Sequence, residues 1–309
     1  MRWKELNLNT DFDRRQFLIK TAGIATAGIA TPISLSAAPK PARTSGVKLK
    51  LSLNAYSFNK PLRAGDITLP EVIDYCANLG FDGLDATGYY FPGYPDAPSD
   101  DYIYDLKKHA FLNGITINGT GVRNDFAVAD PASRKKDVQM VKDWIEVAAK
   151  LGATVIRIFS GKKTPEGHSF EDVLEWMIPD IQECVAFGEK HGVIVGLQNH
   201  NDFVKTADEM IKIIESIDSA WFGLILDVGS LRKHDPYVEI EKLLPYAVSW
   251  QLKENVWFGD KETPTDLHRV KAIIDRSGYR GFFPIETLGA GDPRIKVKRY
   301  YNEVKRVFV

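Results

Sequence analysis

Six polar residues stand at the ends of four short apolar runs in the second half of the chain. Val193–His200 closes on Gln198 and His200, Gly223–Gly229 carries Asp227, Val248–Lys253 closes on Gln251 and Lys253, and Gly281–Glu286 ends in Glu286. Side chains on a strand alternate, so Gln198 shares a face with His200, and Gln251 shares one with Lys253. If those faces look into one opening, two carboxylates, two amides, one imidazole and one ammonium converge there. A carboxylate in such company can take a proton, and an ammonium or imidazole can donate one or steady a developing negative charge. Each residue alone has a plainer explanation. An Asp after an apolar run often caps a helix, a strand-end Gln is often polar edge, and a lone His is often a hydrogen-bonded structural residue. Four successive runs ending this way are harder to explain so.

Something must bring these ends together, and the pattern from Val47 onward supplies it. Apolar runs recur every 25 to 40 residues: Leu49–Tyr56, Gly83–Thr87, Ile115–Gly121, Thr154–Ser160, then the four above. The stretches between read as amphipathic helices that close on Gly, among them Leu69–Leu79, Tyr102–Leu112, Ala132–Leu151 and Pro264–Arg276, and Arg294–Val307 is the last helix. Thr206 and Glu209 form a capping box ahead of Met210–Ile217. Near-continuous apolar strands separated by helices require parallel pairing with right-handed crossovers. Eight such units predict a single-domain α/β fold, a closed (β/α)8 TIM barrel over residues 47–309, whose strand ends form the mouth. An open doubly wound sheet fits less well, because Asn54-Ala55-Tyr56-Ser57-Phe58 follows the first strand where a Gly-rich phosphate loop would stand.

At these positions the sequence resembles the sugar phosphate isomerase/epimerase family, the xylose isomerase-like barrels. The segments that carry the resemblance are Gly80-Phe81-Asp82-Gly83-Leu84-Asp85, Gly196-Leu197-Gln198-Asn199-His200, Leu226-Asp227-Val228-Gly229, Trp250-Gln251-Leu252-Lys253-Glu254 and Gly278-Tyr279-Arg280-Gly281-Phe282-Phe283-Pro284-Ile285-Glu286. The resemblance implies a divalent ion (Mn²⁺, Mg²⁺ or Co²⁺, with Zn²⁺ as a further option) held by residues of strands five to eight. Carried over, those positions are Gln198, Asp227, Gln251 and Glu286. The family pattern is Glu, Asp, His, Glu, so this chain departs at two of four. Gln251 looks like the arrangement in dehydroshikimate dehydratases of the superfamily. Gln198 is the more serious change, because a neutral amide binds a hard cation less strongly than a carboxylate.

The same change narrows the chemistry. Family epimerases work with two glutamates on opposite faces of the sugar, and Gln198 cannot take a proton. Glu286 is left as the base, with Lys253 or His200 as proton donor or charge stabiliser. One-base reactions stay open: a proton shift between aldose and ketose, or proton removal beside a ketone followed by β-elimination from a 3-keto-glycoside. A carbohydrate-binding barrel without catalysis is the third reading. An apurinic-site endonuclease, which shares the fold, needs many His at the mouth. His109, His191 and His268 fall on helices and His168 precedes one.

Candidate substrate contacts are Asn54, Tyr89, Arg123, Arg157, Glu254 and Trp257. Tyr89 lies in the aromatic, Pro-stiffened segment Tyr89–Pro95, whose rings suit sugar C–H groups. Arg157 has an alternative role bracing the barrel interior. The small-molecule partner implied is a free sugar, glycoside or keto-sugar.

Composition sets outer bounds. With 40 Lys and Arg against 41 Asp and Glu, the net charge of −1 gives no excess to neutralise nucleic-acid phosphates. The basic run from Arg294 to Arg306 reads as a solvated helix face. Cys76 and Cys184 are too few for a disulfide scaffold. At the N-terminus, Asp13-Arg14-Arg15-Gln16-Phe17-Leu18-Ile19-Lys20 precedes an uncharged Ala/Gly/Thr-rich stretch, Thr21 to Ala38. This resembles a twin-arginine export signal, and residues 1–46 are assigned to signal and linker. The stretch is short and broken by Pro32, so no stable membrane anchor is expected. The expected destination is the periplasm or cell exterior. Nothing in the sequence sets the oligomeric state.

Overall fold

A computed structural model describes residues 49–309. Residues 1–46, the segment expected to be signal and linker, lie outside the described residues.

Eight parallel strands close into a barrel. They are β1 (Leu49–Asn54), β2 (Gly83–Thr87), β3 (Thr116–Gly121), β4 (Val155–Phe159), β5 (Ile194–Gln198), β6 (Phe222–Asp227), β7 (Ala247–Lys253) and, after a small hairpin, β10 (Gly281–Glu286). Each pairs with its sequence neighbours, and β10 closes the ring on β1, with Leu51 opposite Phe283 and Leu53 opposite Ile285. Helices α1 (Asn59–Ala64), α2 (Leu69–Leu79), α3 (Asp100–Leu112), α4 (Pro131–Leu151), α5 (Phe170–His191), α6 (Ala207–Glu215), α7 (Pro236–Leu243), α8 (Leu267–Ser277) and α9 (Pro293–Phe308) fill the crossovers. The ends of these helices follow the local signals. Thr68–Glu71, Ser169–Asp172 and Thr206–Glu209 form reciprocal capping boxes at the starts of α2, α5 and α6. Gly80, Gly152, Gly192 and Gly278 terminate α2, α4, α5 and α8 in the left-handed conformation.

Period-two alternation splits each strand between two environments. Outward residues such as Leu53, Leu84, Ile156, Ile158, Leu197, Leu224, Leu226, Trp250, Leu252 and Ile285 are fully buried beneath the helices and make up the core. The inward face is polar yet also buried: Asn54, Asp85, Thr87, Arg157, Gln198, Asp227, Gln251 and Glu286. The barrel therefore places its apolar mass between sheet and helices and leaves ionisable groups in its interior. Buried polar groups of this kind persist only when partnered, so their pairing is the informative feature.

One segment departs from the sequence reading. Pro264, expected to open a helix, ends a strand instead. Asn255–Phe258 (β8) and Lys261–Pro264 (β9) pair as an antiparallel hairpin. Gly259, at φ 62°, provides the left-handed turn between them. Helix α8 begins three residues past Pro264, where the Asp266 carboxylate accepts from the amides of His268 and Arg269.

Candidate functional site

Asp227 ends β6, and its carboxylate is the hub of the barrel mouth. Its Oδ2 accepts from Gln198 Nε2 at 2.7 Å, Lys253 Nζ at 2.8 Å and Ser230 Oγ at 2.8 Å. Its Oδ1 accepts from the amide of Gly229 at 3.0 Å. The backbone of Asp227 is fixed as well. Its N–H donates to Asn199 Oδ1 (2.7 Å) and its carbonyl accepts from Asn199 Nδ2 (2.9 Å), so the Asn199 side chain extends the β5–β6 ladder past the last residue of β5.

Gln198 uses its amide nitrogen twice, donating also to Gln251 Oε1 at 2.7 Å. Lys253 reaches from β7 toward both carboxylates, with Nζ 3.5 Å from Glu286 Oε1. Gln198 thus ties Asp227 and Gln251 together, and Lys253 links Asp227 to Glu286. The space the ammonium needs comes from Gly229. A Cβ there would lie 2.6 Å from Lys253 Cδ, closer than any relaxed packing permits. The Lys253 carbonyl is anchored by Thr265 Oγ1 and Tyr300 Oη at 2.7 and 2.6 Å, which fixes the end of β7.

The charges of the cluster depend on one another. Burial alone would lower the pKa of Lys253, but the carboxylates of Asp227 and Glu286 hold it above the ordinary lysine value. Burial would likewise raise Asp227; the Lys253 and His200 charges and the donated hydrogen bonds bring it below the ordinary carboxylate value. Glu286 goes the other way. Burial raises it, Lys253 opposes, and Asp227 pushes it further up. The two carboxylates are driven apart: Asp227 stays an ion-pairing anion, and Glu286 becomes the more basic.

The remaining sequence-derived residues fall into place around this cluster. His200 sits at the rim with its side chain 37% exposed and Nδ1 2.9 Å from Asp202 Oδ2; burial depresses its pKa against the pull of Asp227 and Asp202. Arg157 lies inside the barrel, stacked on Phe159 at 4.2 Å and donating to the Val122 carbonyl, the bracing arrangement. Asn54 is committed to structure, donating to Asp85 Oδ2 and accepting from the Tyr56 amide. Tyr89 packs edge-on against Tyr56, Tyr90 and Tyr94. Arg123 is exposed, its backbone N–H donating to Tyr94 Oη. Trp257 lies on the hairpin beneath the Arg232 guanidinium, 4.0 Å from the ring centroid. Glu254 belongs elsewhere: it faces α9, paired with Lys296 at 3.2 Å and with Arg299. Alternation explains it, since Lys253 points inward and its neighbour outward.

Asp85 was given no role from the sequence. It is buried on β2, on the same face as Gly83 and Thr87, and burial drives its pKa up to about 7, with Arg157 opposing and Glu286 adding to the rise. The period-two register of β2 is the signal by which the sequence could have identified it. Cys76 and Cys184 are both free and buried. Apart from the inward-turned Lys296, the basic residues Arg294, Lys298, Arg299, Lys305 and Arg306 lie exposed on the outer face of α9.

Whether this set fits a divalent ion can be judged from its donors. Asp227 Oδ2 already accepts three hydrogen bonds, Gln251 Oε1 accepts one, and Gln198 presents nitrogen rather than oxygen to both. Among the described residues no group of three or more His, Cys, Asp and Glu could hold a metal ion. The expected ligand set does not fit as a cradle of oxygens, because Gln198 turns its nitrogen inward and the Lys253 ammonium stands between Asp227 and Glu286.

Comparison with known proteins adds the family context. Residues 73–303 match the family described as xylose isomerase-like TIM barrel. No curated protein sequence matches the chain. Among solved structures, D-psicose 3-epimerase from Clostridium cellulolyticum H10 superposes with a TM-score of 0.70 at 17% identity, covering 84% of this chain and 99% of that one. The 3-keto-D-glucoside 4-epimerase from E. coli gives 0.68 at 13% identity, over 84% and 100%. The probable 3-DHS dehydratase of petrobactin synthesis from Bacillus anthracis gives 0.64 at 15%, over 83% and 98%. At these identities the likeness is one of fold.

Proposed function

Because the chain belongs to the xylose isomerase-like TIM barrel family, we propose that it is an isomerase-type enzyme that moves a proton beside the carbonyl of a sugar or keto-sugar. The observation that carries this reading is the approach of Lys253 Nζ to within 3.5 Å of Glu286 Oε1 at the floor of the mouth. Glu286, whose pKa burial raises, would take the proton α to a carbonyl, and an ammonium beside it can steady the enolate oxygen that forms. His200 at the rim would return a proton or protonate a leaving group. The names of the similar structures, sugar 3-epimerases and a 3-keto-glucoside 4-epimerase, support a carbohydrate substrate.

A second reading has its own observation. Gln198 occupies the position of the second base and is tied by both N–H groups into the network. Epimerisation with bases on two faces is thereby disfavoured, and elimination becomes attractive. Glu286 would take the proton α to the ketone of a 3-keto-glycoside, the electron pair would pass through the enolate, and the bond to the aglycone oxygen would break. The similar dehydratase fold supports eliminations on this scaffold. The twin-arginine-like segment, Arg14-Arg15 onward, supports export and hence an unphosphorylated substrate.

The test is incubation with keto-sugars and 3-keto-glycosides in D₂O. Deuterium entering beside the carbonyl without loss of the aglycone indicates the isomerase, and aglycone release indicates the lyase. Glu286→Gln should strongly suppress both. Exchange at the wild-type rate in that variant would refute the assignment of the base.

A further inference from the structure

We infer that the Lys253 ammonium is the resident cation of this barrel, standing between Asp227 and Glu286 in place of a divalent ion. Four observations converge on it. The ammonium lies 2.8 Å from Asp227 Oδ2 and 3.5 Å from Glu286 Oε1, so it bridges the two carboxylates of the site. The Asp227 oxygen it meets is completed by Gln198 and Ser230, leaving no lone pair for another cation. Gln198 and Gln251 are neutral, so the cluster holds two carboxylates and one ammonium. A divalent ion would need the ammonium expelled from a buried pocket. Finally, Gly229 leaves the gap that the lysine stem fills: a Cβ there would meet Lys253 Cδ at 2.6 Å. The pocket is thus built around this side chain.

The consequence for chemistry follows from the donor count. A lysine ammonium has three N–H groups. Two face Asp227 and Glu286, and the third is left for a substrate oxygen. Lys253 would hold the carbonyl oxygen and the enolate formed from it, as a fixed hydrogen-bonding charge. This catalytic role rests on the function proposed above, whereas the exclusion of a divalent ion by Lys253 does not.

The two parts separate in one set of measurements on the full chain. Binding of Mn²⁺ is followed by its electron paramagnetic resonance signal, with the wild type, Lys253→Met and Lys253→Met/Gln198→Glu in parallel. The expected result is no stoichiometric Mn²⁺ on the wild type and at least tenfold tighter binding by the double variant, with the single variant between. Lys253→Gln, which keeps a donor to Asp227, replaces the Met variant if that one does not accumulate folded. Stoichiometric Mn²⁺ on the wild type overturns the inference, and so does equally weak binding by all the proteins. Proton exchange on a keto-sugar then reads the catalytic part. Wild-type turnover should be unchanged by exhaustive chelation and lost in Lys253→Gln, while turnover that collapses on chelation overturns it. If no keto-sugar is turned over, the functional proposal fails and the Mn²⁺ result still decides the cation.

Discussion

Lys253 Nζ lies 2.8 Å from Asp227 Oδ2, with the lysine side chain 12% exposed and the aspartate side chain fully buried. A pair taken this far out of water has lost most of its hydration, and its attraction chiefly offsets that loss. Breaking it from one side leaves the other charge stranded. Lys253→Met should therefore lower stability by about 3–5 kcal/mol. Lys253→Met/Asp227→Asn should recover much of that, since both charges go together. Chemical denaturation across the double-mutant cycle checks this, and an additive cycle would show that the pair is not coupled.

Glu286→Gln should leave the fold intact while reducing proton exchange by about 10²–10⁴-fold, the usual contribution of a positioned base. The amide keeps the shape of the side chain and removes a buried carboxylate whose pKa burial raises, so Tm should hold or rise. Thermal melting and deuterium incorporation, measured on the same preparation, separate a lost base from a lost fold.

Gly229→Ala tests the pocket around the lysine stem. The added methyl would start 2.6 Å from Lys253 Cδ and 3.3 Å from the Asn255 carbonyl, so the stem must move. Overpacking of this kind costs about 1–3 kcal/mol, and here it also withdraws the ammonium from Asp227 and Glu286. Activity should fall further than the change in Tm accounts for. Equal activity in the alanine variant would mean that the ammonium's position is not needed.

Asp85 gives a pH dependence. Its folded pKa of about 7 lies above its ordinary 3.8, chiefly through burial. Between those values the native state holds a proton that the unfolded chain has released, so stability falls as pH rises from about 4 through 7. Asp85→Asn removes that proton equilibrium while retaining an acceptor for Asn54 Nδ2, which donates to it at 3.1 Å. Melting curves from pH 5 to 8 (roughly the span of this linkage) should slope down less in the variant than in the wild type. Parallel slopes would exclude Asp85 as the source.

The fold was legible because its signals are local. Thr206 and Glu209 are three residues apart, and Gly80 and Gly152 follow directly on the helices they end, so capping and termination need no knowledge of the rest of the chain. Alternation likewise put Gln198 on one face with His200 and Gln251 on one face with Lys253, but left open whether those faces look inward. The β8–β9 hairpin was missed because Pro264 is compatible with both a helix start and a strand end, and only its pairing with Asn255 decides.

By itself, then, the sequence determined an eight-stranded barrel with Gln198, Asp227, Gln251, Lys253 and Glu286 at its strand ends. It left the identity of the cation among them to tertiary structure. The deciding hydrogen bonds join residues 26, 29 and 53 positions apart, between strands whose mutual register is set by barrel closure. Periodicity names the face a side chain occupies. Which oxygen meets which nitrogen across the mouth depends on strand register and on gaps such as the one at Gly229, and these turned Gln198 nitrogen-first and seated an ammonium between the carboxylates.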